Sequence, residues 1–146
     1  MATKEMPFYN VDGAVGPGCP NKRTDVMLVQ FFLHEIYDHP TQKPNKPAGP
    51  DIGISGNFDA TTAQWILHFQ NQVKRIGHRI STDGRVDHAK GEQYTRSSIS
   101  QTQYTITHMN ISYARRFRQQ HNQLEAHPRI PGELKTELAQ EEQRLR

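Results

Sequence analysis

Cysteine is nearly absent: Cys19 stands alone in a chain of 146 residues. An intrachain disulfide is therefore excluded, and a thiolate zinc site lacks ligands. Long apolar runs are missing too, so membrane insertion is not expected. The opening MATKEMPFYNVDGAVGPG has no apolar centre of a secretory signal, and the expectation is synthesis in the cytoplasm with no visible signal peptide. Aromatic residues make up 8% and hydrophobic residues 34%, and the mean hydropathy is -0.84. Such a polar chain calls for a small core with long solvated segments, within the size of one domain. No dense basic block accompanies the net charge of +3, because Lys and Arg alternate with acids. A nucleic-acid partner is accordingly not expected.

Catalytic signatures are lacking as well. There is no Ser-x-x-Lys pair, no Gly-x-Ser-x-Gly elbow and no His-Glu-x-x-His. Cys19, in GPGCPN, sits in no recognisable cysteine-peptidase context. Glu35 and Asp38 are spaced like a carboxylate pair but read as acids on a helix surface. The eight histidines, His34, His39, His68, His78, His88, His108, His121 and His127, show no compact ligand spacing. No metal, no cofactor and no enzyme activity are expected.

What is present is periodic. Residues 7–24 are rich in Gly and Pro and form an irregular lead-in. Val26, Val29, Leu33 and Ile36 then recur at gaps of three, four and three, which predicts one apolar helix face capped by Thr24 or Asp25. The prolines of DHPTQKPNKPAGPD end it in an exposed loop. After Ser55 and Gly56, with Phe58 as a buried anchor, Asp59 is placed to accept amides from Thr61 and Thr62. A second helix follows, with Ile66, Phe69, Val73 and Ile76 on its packing face and Gly77 at its end.

The turn SGNFD at Ser55–Asp59 returns in outline as DGRVD at Asp83–Asp87. Each copy follows a helix with a glutamine beside a core residue, Gln30 after Val29 and Gln70 after Phe69, and these glutamines are expected to bond loop backbone. Further on, YTITHMN alternates like a short strand, while Ile106, Met109, Tyr113 and Phe117 also suit a helix; a short extended piece and then a helix from about 111 to 125 are expected. Pro128 and Pro131 interrupt it before a charged terminal helix along Leu134, Leu138 and Leu145.

Residues 25–87 resemble the small three-helix peptidoglycan-binding domain found beside many cell-wall hydrolases. Val26, Val29-Gln30 and Leu33 match its first helix. Ser55-Gly56, Phe58-Asp59, Thr62, Trp65-Ile66 and Phe69-Gln70 match its central signature, and Asp83-Gly84 with Val86 match the second Asp-Gly block. Ser55 replaces an aspartate of that pattern, Asp59 a glycine and Trp65 an alanine. The resemblance implies a mainly α fold, a peptidoglycan-binding-like core over 25–91 after the lead-in of 1–24, and a helical extension over 92–146.

It further implies non-catalytic binding of peptidoglycan or a wall-derived peptide or glycan. The contact candidates near the two loops are Asn57, Trp65, Asp83 and Arg85, with Trp65 serving either the core or a cleft. The alternative is an adaptor module of a phage particle or contractile secretion apparatus, docking through the C-terminal helices; either setting supplies a leaderless route to the wall.

Overall fold

Apolar residues surround the first helix, and that decides the architecture. In the computed structural model, which describes residues 7–90 and 102–144 apart from the side chains of 141–144, α1 spans Arg23–Asp38. The expected face of Val26, Val29, Leu33 and Ile36 is buried, but so are Met27, Leu28, Phe31, Phe32 and Tyr37. A helix apolar on every side belongs at the centre. Around it pack α2 (Ala60–Arg75), α3 (Thr105–Arg116) and α5 (Gly132–Arg144), with the short α4 (Arg118–Asn122) continuing from α3. The protein is mainly helical, and the only β pairing among the described residues is two isolated bridges.

The expected caps and boundaries are corrected in four places. Asp25 lies inside α1, whose preceding residue Lys22 makes no side-chain cap bond; its carboxylate accepts the amides of Asp12 and Gly13 at 2.9 and 3.0 Å. Asp59 does cap α2, accepting from the Thr62 amide and hydroxyl at 2.8 and 2.7 Å, and Thr61 is not its partner. The apolar face of α2 stops at Val73, because Ile76 is 69% exposed where the helix ends. The strand expected at YTITHMN is helical from Thr105 onward, and the following helix breaks at Phe117, with φ −134° and ψ 60°. Burial of Ile106, Met109 and Tyr113 against α1 overrides the extended preference of the β-branched residues.

The lead-in is part of the core rather than a tail. Val11 and Val15 are fully buried and Tyr9 nearly so. Val15 exchanges both backbone hydrogen bonds with Val86, at 3.0 and 2.8 Å. One apolar cluster takes in Val11, α1, α2, α3 and the terminal Leu134 and Leu138. Leu145 lies outside the described residues.

Candidate functional site

The repeated turns are latched by one device used twice. Gln30 of α1 accepts the Gly56 amide at 2.9 Å through Oε1, while its Nε2 donates to the Asn57 carbonyl and to Thr62 Oγ1, both at 3.0 Å. Gln70 of α2 accepts the Gly84 amide at 2.8 Å and donates to the Arg85 carbonyl at 2.9 Å and Thr105 Oγ1 at 3.0 Å. Each buried amide thus joins its own helix, the following loop and the helix after that. Gly56 and Gly84 have φ of 82° and 76°, a region L side chains rarely enter. Inside the loops Val86 is fully buried, and Phe58 is half-buried against the core.

The second copy departs from the first where the chain lengthens. In the first, Thr62 is both the partner of Gln30 and the residue capped by Asp59. In the second, Asp87 pairs instead with Arg85, at 3.1 Å, and α3 starts only at Thr105 without a side-chain cap. The Gln70–Thr105 bond keeps the latch closed across the insertion.

Two of the expected contact residues share a cleft. Asp83 and Arg85 line a polar cleft of about 310 Å³ with Ser81, Asp87 and the segment 102–105. Asp83 Oδ1 accepts the Arg85 amide at 2.9 Å, a turn that leaves the guanidinium exposed. The Asp87 carboxylate beside it raises the Arg85 pKa above its ordinary value. Asn57, at the matching place in the first loop, is exposed and lies within 3.5 Å of Arg23 Nη1; it does not line that cleft. Trp65 is 2% exposed and packs edge-on against Tyr37 at 5.6 Å. Its indole fills the core and offers no face to a ligand in this conformation.

Glu35 is no surface acid. It is buried and held by His34 Nδ1 at 2.7 Å, His127 Nε2 at 3.0 Å and Arg129 Nη1 at 3.1 Å. Burial works to raise its pKa, yet the His34 hydrogen bond and the charges of Arg129 and His127 bring it below the ordinary value. Asp38 is exposed and faces Lys43, so the two acids form no pair. Among the described residues no three His, Cys, Asp or Glu side chains assemble as a metal-ligand set.

A second cleft of about 400 Å³ opens among α1, α2 and α3, lined in part by Tyr37, Phe69, Gln72, His108, Arg115 and Arg116. The extended piece expected over 104–110 leaves no such cleft. The signal was there: His108, Ile111, Ser112 and Arg115 follow one another at helical spacing. No family model matches the chain, and no significant match was found among curated proteins or solved structures.

Proposed function

We propose that the chain is a non-catalytic recognition module for bacterial cell-wall peptidoglycan or a fragment of it. The observation that carries this is the doubled glutamine latch: the residues of the resemblance, Gln30 with Gly56 and Gln70 with Gly84, perform the same task in both copies. Beside the second latch, the cleft of Asp83 and Arg85 offers donors and acceptors suited to hydroxyl and amide groups of a polar polymer. A leaderless route in a phage particle or contractile secretion apparatus would bring such a module to the wall.

Co-sedimentation with purified sacculi tests it. Wild-type protein is expected in the pellet at low and moderate salt, and Arg85→Ala, which removes only an exposed ion pair, is expected to weaken binding about tenfold. Folded wild-type protein that stays in the supernatant overturns the proposal. That result would favour the adaptor reading, which draws its own support from the cationic cleft between α2 and α3.

A further inference from the structure

Both α2 and α3 pack on α1, and the 400 Å³ cleft between them has an uneven chemistry. Ile36, Phe69 and Val73 contribute buried apolar surface, and Ile76 stands at the end of α2 with 69% of its surface in water.

Arg115 and Arg116 line the polar side of the cleft, and among the described residues no Asp or Glu does. Among the described residues Arg116 is engaged by neutral groups: Nη1 donates to the Ser112 carbonyl and hydroxyl at 2.9 and 2.8 Å, and Nε to Thr41 Oγ1 at 3.3 Å. The Tyr37 hydroxyl donates to Gln72 at 2.6 Å, and Gln72 in turn donates to Gln42 at 2.8 Å. Among the described residues no carboxylate pairs with Arg115 or Arg116. Two arginines without an acidic partner among the described residues thus share the cleft with the exposed Ile76.

We infer that this cleft binds a short peptide ending in a free carboxylate beside an apolar side chain. Arg115 and Arg116 take the carboxylate, whose planar pair of oxygens matches a guanidinium. Ile76, beside the buried Phe69 and Val73, takes the side chain, and Gln42 and Gln103 line the cleft where peptide groups would lie. The site lies beyond the wall-binding proposal: Asp83 and Arg85 belong to the neighbouring cleft, and only Gln103 borders both.

The test is a titration of full-length protein with N-acetyl-Ala-Leu as the free acid and as its C-terminal amide, followed by calorimetry and amide NMR shifts. The acid is expected to bind at least tenfold tighter than the amide and to shift signals of α2 and α3. Ile76→Glu, at an exposed position, is expected to weaken acid binding at least fivefold with an unchanged melting temperature. Arg115→Gln with Arg116→Gln is expected to abolish the preference for the acid. Equal binding of acid and amide, no binding of the acid, or a preference that survives the double substitution overturns the inference. Because Arg85 is outside this cleft, failure of sacculus binding leaves this result unaffected.

Discussion

Gln70 shows how much one side chain can hold. It satisfies the Gly84 amide, the Arg85 carbonyl and the Thr105 hydroxyl from a fully buried position. Gln70→Leu strips all three partners at once, and since an unmet buried polar group costs on the order of 1–3 kcal/mol, a loss of about 3 kcal/mol is expected in urea unfolding. A loss under about 0.5 kcal/mol would mean that the loops stand without their latch. At this scale the sequence was readable where a residue's work is local or repeated, as for Gln30, Gln70 and the Asp59 cap. It was not readable where partners are distant. Asp25 looks like a helix cap, yet its amide donors are Asp12 and Gly13 in the irregular lead-in. Trp65 is equally plausible inside and outside by spacing, and only the placement of Tyr37 decides it.

Among elements, the two loops differ in how tightly they are gripped. A Cβ on Gly56 would come within 2.7 Å of Arg23 Cγ and 3.0 Å of Met27 Cε, whereas one on Gly84 meets nothing nearer than Pro17 Cδ at 4.0 Å. Both glycines carry the left-handed strain, but only the first adds a clash. Gly84→Ala is expected to cost about 1 kcal/mol and Gly56→Ala about 2–3 kcal/mol, read as melting temperatures; the reverse order would contradict this packing. Helices α1 and α2 were legible because their apolar gaps and their stops lie in the chain itself. Ile76 continues the gap pattern of α2, yet the helix turns out before it and leaves it in water. The start of α3 was ambiguous, because Thr105, Ile106 and Thr107 favour extended backbone in isolation while Ile106, Met109, Tyr113 and Phe117 keep helical spacing, and burial on α1 selects the helix.

At the scale of the whole molecule, three buried groups make acid a common enemy. Burial, with the charges of His78 and Arg115, holds His108 at a pKa of about 4, and burial alone does the same for His121. Both are neutral in the folded chain and take up protons below about 6.5 once it unfolds. Their contribution is therefore whole at neutral pH and lost as pH falls from about 6.5 towards 4, by on the order of 1 kcal/mol per histidine per pH unit. Glu35, depressed in the folded state, contributes above its ordinary carboxylate value and gives that up at still lower pH. The urea midpoint is expected to drop between about pH 7 and about pH 5; an unchanged midpoint would refute the neutral burial of these imidazoles.

The stitch made by Tyr9 bears on how the chain is born. Its hydroxyl donates to the His121 carbonyl at 2.6 Å across 112 positions, and its amide reaches Asn110 at 2.9 Å across 101. Contacts so remote along the chain form slowly. During synthesis Tyr9 must wait for both partners until residues 110–121 have left the ribosome, while Asp12 and Gly13 just after it can already meet Asp25.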